Sequence, residues 1–222
     1  MEILSEIIYN PKTKYVIITL LLAIFLFLCA YSYSNAVSSD FQSNLLRLHV
    51  LANSNSKEDQ NLKYAVRDNI LEYVNNLSKD AKINSKEELV SLVNFRKEEI
   101  KNIAEQTVQD MGYSYTVNVA IGNYNFPTKT YGDISLPSGP YDALRIEIGE
   151  AEGQNWWCVM FPPLCFVDVS SGIVPEDSKE TLQDNLSDEE YLLILNESSE
   201  NLKLKFKIVE LFGNMNISTA KK

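Results

Sequence analysis

The run from Tyr15 to Ser39 contains no charged residue, and it limits what the rest of the chain can do. Its apolar heart, Val16 to Ala30, follows Lys12 and Lys14 and gives way to small polar residues, the layout of a secretory signal. Moving positive charge across a bilayer is costly, so the lysines stay behind and everything after about Ser34 is expected on the far side. The apolar stretch from Val16 to Tyr33 would span roughly 27 Å as a helix, nearly a membrane thickness. Ser34-Asn35-Ala36 offers the small residues two apart that a signal peptidase requires. Residues 1–36 therefore read as a signal peptide or as an uncleaved N-terminal membrane anchor. Cys29 follows Leu28 rather than a small residue, and reads as apolar filler and not as a lipid attachment site.

The first 36 residues hold two Lys and two Glu, so the remainder carries the whole net charge of −10. That balance argues against nucleic acid and against an anionic membrane surface as partners, because both attract positive charge. No repeat, low-complexity tract or Gly/Ser linker interrupts residues 45–212, which read as one exported domain. Residues 37–44 read as a spacer and residues 213–222 as a flexible tail.

Leu45 to Ala52 alternates, with Leu46, Leu48 and Val50 on one side and Arg47 and His49 on the other, and predicts a strand. Ser56 and Ser85, each followed three residues later by an acid, predict capping boxes. The first opens a helix carrying Leu62, Ala65, Val66, Ile70 and Tyr73; the second opens one running to Gln109 with its C-terminal cap at Gly112. Period-two runs from Tyr115 to Ile121, Ala143 to Ile148 and Trp156 to Phe161 predict further strands. The short turn at 150–155 suggests that the last two form an antiparallel hairpin. Ser187 to Glu190 caps a short helix, and Leu202 to Ile208 is a final strand with one wet face. The expected fold is α+β, a largely antiparallel sheet with helices packed on one face.

Chemistry is sparse. His49 is the single histidine, stands mid-strand and has no nucleophile motif beside it, so an exported hydrolase has little to work with. One His and two domain cysteines lack zinc spacing, and neither a phosphate loop nor a dinucleotide fingerprint is present, so no metal or cofactor is expected. Cys158 and Cys165 suit either a disulfide, if the Pro162-Pro163 turn brings the sulfurs together, or two buried thiols. The segment from Gly122 to Tyr141 lacks regular periodicity and is rich in aromatics, glycine and proline, the make-up of a functional loop. Tyr124, Phe126, Lys129 and Tyr131, with Trp156 or Trp157, are the candidate partner-binding residues; burial of these aromatics against the sheet is the structural alternative.

Several of these segments resemble the stage II sporulation protein R family. They are Arg47 to Ser56, Asp59-Gln60, Val66-Arg67-Asp68, Gly122 to Asp133, Gly139 to Arg145, Asn155 to Val167 and Lys205 to Glu210. The resemblance implies a signalling protein made in the forespore and exported into the space between forespore and mother cell. There the family switches on a membrane-embedded aspartic protease, which removes the pro-sequence from a mother-cell sigma factor. It implies a protein partner and no enzymatic activity of the chain's own. A cell-wall-binding module is the competing expectation, since exposed aromatics stack on sugars, and retention on purified peptidoglycan would distinguish it.

Overall fold

A computed structural model describes residues 11–132, 134–165 and 176–195. The chain opens with helix α1 (Pro11–Ser43), whose stretch Lys12–Cys29 is long and apolar enough to cross a membrane and is not covered by the rest of the protein. Strand β1 (Leu46–Leu51) follows, then helices α2 (Lys57–Ala81), α3 (Lys86–Phe95) and α4 (Lys97–Asp110). Strands β2 (Val117–Phe126), β3 (Lys129–Tyr131), β4 (Ile134–Leu136), β5 (Gly139–Ile148) and β6 (Asn155–Phe161) come next. Helices α5 (Glu176–Asn185) and α6 (Asp188–Ile194) complete the described chain. The predicted strand at 202–208 and the tail at 213–222 lie outside the described residues.

The architecture is α+β. The four-stranded sheet has the order β2-β5-β1-β6, and β3 and β4 form a separate two-stranded ribbon. One correction concerns connectivity. The β5 and β6 strands do not form a hairpin, because β1 lies between them, parallel to β5 and antiparallel to β6. The turn joining them crosses the end of β1, and the Asn53-Ser54-Asn55 segment accepts its backbone donors. Glu150 N–H donates to Asn53 Oδ1 (3.0 Å), Glu152 N–H to Asn53 O (3.2 Å) and Gln154 N–H to Asn55 Oδ1 (2.8 Å). Gly149 turns here with φ +59°, and a Cβ on it would stand 2.2 Å from Asn53 Oδ1, so the crossover has room for glycine alone.

The helix signals hold with local differences. Ser56 Oγ and Ser85 Oγ accept from the backbone N–H groups of Asp59 and Glu88, as N-caps do, but neither acid returns the bond to its own cap. Asp59 instead accepts from Asn53 and Ser54, and Glu88 accepts from Asn84 N–H. Ser187 and Glu190 make the full reciprocal box. The single helix predicted to Gln109 is broken at Arg96 (φ −95°, ψ 14°), which lets Leu89 and Val93 of α3 and Ile100, Ala104 and Val108 of α4 all reach one core.

The sheet is covered on both faces near its centre. On the first, α2, α3 and α4 pack Leu62, Val66, Ile70, Val93 and Ile100 against Leu48, Val50, Val119, Leu144 and Ile146. On the second, Phe41, Leu45, Phe126, Tyr131, Ile134, Leu136, Leu182 and Ile194 close over Tyr141, Ala143 and Val159. All six residues of β1 are consequently buried, with Arg47 and His49, on the side opposite Leu46, Leu48 and Val50, turned toward this second core. The segment expected as a spacer differs as well: residues 37–43 are helical, and Phe41 is fully buried.

Cys158 and Cys165 form a disulfide beneath this structure. Constraining so short a loop in the unfolded chain is worth about 2.5 kcal/mol in the chain-entropy model. Cys158→Ser/Cys165→Ser is expected to lose about that much stability in a denaturant titration, and reductant should bring the native chain to the same midpoint.

Candidate interaction face

Period-two side-chain alternation puts one row of residues from four strands on the second face: Ala120 of β2, Arg145 of β5, His49 of β1 and Trp157 of β6 stand in register. The next row outward holds Asn118, Glu147, Leu51 and Asn155. The ribbon and C-terminal helices close over the Arg47 end of this face, whereas Tyr124, Arg145, Glu147, Asn155 and Trp157 stay partly exposed. An open half-sheet of aromatic and charged groups results.

Its geometry is well defined. Trp157 stacks on the His49 imidazole with ring centroids 5.6 Å apart and planes at 24°. Lys129, on the edge of the ribbon, holds its ammonium 4.5 Å above the Trp157 ring. Tyr124 lies over Gly122, and the Arg145 guanidinium sits 5.1 Å from its centroid. Arg145 pairs with Glu147 at 2.6 Å, and Glu147 accepts from Asn118 at 3.0 Å. His49 Nε2 is hydrogen-bonded to Asn155 Oδ1 at 2.8 Å. Burial, the largest influence, pushes the imidazole below its ordinary pKa of 6.5; the Asn155 bond and Glu147 oppose it, and Arg145 and Arg47 reinforce it.

Neutral His49 carries a sign. The unfolded chain binds a proton near pH 6.5 that the folded chain resists, so this contribution to stability is complete above 6.5 and is lost as pH falls below it. His49→Gln should therefore flatten the dependence of the thermal midpoint between pH 7 and 5, measured by circular dichroism.

The partner-binding candidates separate. Tyr124, Lys129 and Trp157 meet on this open face. Phe126 and Tyr131, 3% and 4% exposed, are core residues that hold the ribbon down, a correction to their reading as surface contacts. The Tyr131 hydroxyl donates to Trp157 O at 3.0 Å and accepts from Arg47 Nη2 at 3.2 Å. Trp156 points to the opposite face, where Arg67 stands 4.2 Å over its ring and Tyr64 meets it edge-on at 5.6 Å. The loop reading of 122–141 missed the extension of β2 to Phe126, paired with Gly139, because Pro127, Pro137 and Pro140 mask the alternation. His49, Arg145, Glu147 and Asn155 were missed as site residues; strand parity alone could have grouped them.

Among the described residues, no cluster of three or more His, Cys, Asp or Glu has the makings of a metal site. A cleft of about 280 Å³ between α2 and β6, lined by Leu71, Val74, Met160 and Pro163 with Asn75 and Ser78, offers no charged group.

A family model described as stage II sporulation protein R matches residues 42–171, which include every residue of the open face. Stage II sporulation protein R of Bacillus subtilis (strain 168) is 40% identical over 135 residues, covering 61% of this chain and 59% of that protein. No solved structure matches. With the family model spanning more than half of its length, the chain belongs to the stage II sporulation protein R family.

Proposed function

We propose that this chain is an exported signal of endospore formation. It acts by touch on a membrane-embedded aspartic protease, which then processes a mother-cell pro-sigma factor. Family membership supports the sporulation role, and the N-terminal apolar helix supports export from the forespore. The disulfide fits an oxidising compartment beyond the membrane.

The observation that carries the contact reading is the open half-sheet, where Trp157, Tyr124 and two cations present rigid aromatic area beside charge, the make-up of binding hot spots. Both domain cysteines are joined in a disulfide, and His49 Nε2 is engaged by Asn155. A ligand activates an enzyme by binding its active state better, and a tenfold shift needs about 1.4 kcal/mol of differential affinity. One aromatic anchor is worth about 2 kcal/mol or more.

Co-expression of the chain, the protease and the sigma precursor in a non-sporulating host tests this. Processing should depend on the chain, and Trp157→Ala or Tyr124→Ala should lower it roughly tenfold or more without changing export, with each variant assayed below its own melting temperature. Full processing with both variants would exclude this face.

A further inference from the structure

We infer that the β2 edge of the sheet pairs with the β2 edge of a second copy of this chain, antiparallel and about a twofold axis at Ile121. The pairing goes beyond the proposed signalling role and needs no partner but the chain itself. β2 is an end strand of the order β2-β5-β1-β6 and runs for ten residues, Val117–Phe126, in unbroken register with β5. Gly149 N–H donates to Thr116 O at 2.9 Å, so Thr116 faces β5. Alternation along the ladder then turns the N–H and C=O groups of Val117, Val119, Ile121, Asn123 and Asn125 outward. Pro140 fits that phase, because it stands opposite Asn125, where the β2–β5 ladder needs no N–H. Among the described residues, none outside β5 bonds to the backbone of these five. The other end strand, β6, is partly closed: Trp157 O accepts from the Tyr131 hydroxyl and Val159 O from Leu164 N–H, both at 3.0 Å.

Exposed edges in soluble proteins carry charges, prolines or bulges that stop another strand from joining. β2 has none of these: residues 111–128 are uncharged in a chain with 30 acids, no proline interrupts the strand, and its register with β5 never shifts. Two such strands come together without like charges opposite each other. The strand also matches itself. Turned about Ile121, Val117 faces Asn125, Val119 faces Asn123 and Ile121 faces its own copy. Every outward group of both strands is then used, in roughly ten hydrogen bonds. An axis at Gly122 would set Val117 against Pro127, and one at Ala120 would set Asn125 against Tyr115, outside the strand. The Ile121 register also puts Ala120 opposite Gly122, so the second face stays uncrowded at the join. A twofold pair is closed, because it consumes the bare edge of each copy and leaves only the shielded β6 edges outside. The two four-stranded sheets merge with their open half-sheets on the same side. One strand pair buries less than the roughly 1,200 Å² of a stable interface, so the dimer is reversible, with a dissociation constant of about 10–100 µM.

The test is sedimentation equilibrium of the full chain in density-matched detergent micelles, from about 1 µM to 1 mM, read together with amide hydrogen exchange along β2. A reversible monomer–dimer equilibrium is expected, with exchange at Val119, Ile121 and Asn123 slowing as the dimer forms. Ile121→Pro removes an N–H that the chain's own sheet does not use, and should raise the dissociation constant about tenfold or more. Asn125→Lys puts a charge on the exposed edge and should raise it at least about threefold. Asn125 is exposed, so this second variant keeps its fold and its effect stands even where Ile121→Pro lowers the melting temperature. A monomer at every concentration would overturn the pairing. So would a dimer indifferent to both variants, as association through the apolar helix would give. Slow exchange of the same amides in the dilute monomer would show another segment of the chain on this edge, and would overturn it as well.

Discussion

Replacing Arg47 with alanine is expected to destabilise the protein by about 3–5 kcal/mol, a large share of a typical domain's stability. The side chain is fully buried under the β3–β4 ribbon. Its guanidinium lies 4.5 Å from the Phe126 ring centroid and 5.0 Å from that of Tyr141. Nε donates to Cys158 O at 3.0 Å and Nη2 to the Tyr131 hydroxyl at 3.2 Å. Alanine leaves a cavity between two aromatic rings and strips the Cys158 carbonyl of its donor. Charge and packing can be separated, because Nη1 has no partner among the described residues and the cation is costly to bury. Arg47→Met should fill most of the space, remove that cost and lose no more than about 2 kcal/mol. Arg47→Lys should do worse than Met, since an ammonium cannot stack flat between rings. Urea melts of the three variants decide the order; alanine and methionine behaving alike would show that volume is not what matters.

Phe41→Ala should cost a comparable amount, about 3–5 kcal/mol, at a position that looks like linker. Phe41 is fully buried in the last turn of α1, beside Leu45 and the other residues of the second core. Gln42 next to it packs so closely on Gly139 that a Cβ there would lie 2.2 Å from its side-chain nitrogen. A peptidase cutting after Ala36 would leave this anchor in place, whereas deleting residues 37–44 should unfold the domain. A flexible spacer would tolerate that deletion, so protease resistance of the deleted chain discriminates. The end of the apolar helix is thus built into the domain.

Local rules were readable where they act over a few residues. Caps at Ser56, Ser85 and Ser187 and the left-handed Gly112 (φ +85°) follow from side chains satisfying nearby backbone groups. The apolar stripes of α2 and α4 and the alternation in β1, β5 and β6 were legible for the same reason. Arg47 and His49 show the limit. Alternation told that they share a side but not that a ribbon and two helices from later in the chain would cover it. Phe126 and Tyr131 look like exposed loop aromatics until the ribbon folds back and buries them.

By itself the sequence determined the membrane-length apolar helix and the α+β class, because those depend on composition, short-range periodicity and order along the chain; the family was legible only through the resemblance of whole segments to known sequences. The sequence also placed Tyr124, Lys129 and Trp157 among the candidates. Only the tertiary structure decided that β1 slots between β5 and β6, and that this insertion aligns His49 with Arg145 and Trp157. Strand neighbours are chosen by packing between segments about a hundred residues apart, and no local pattern encodes that choice.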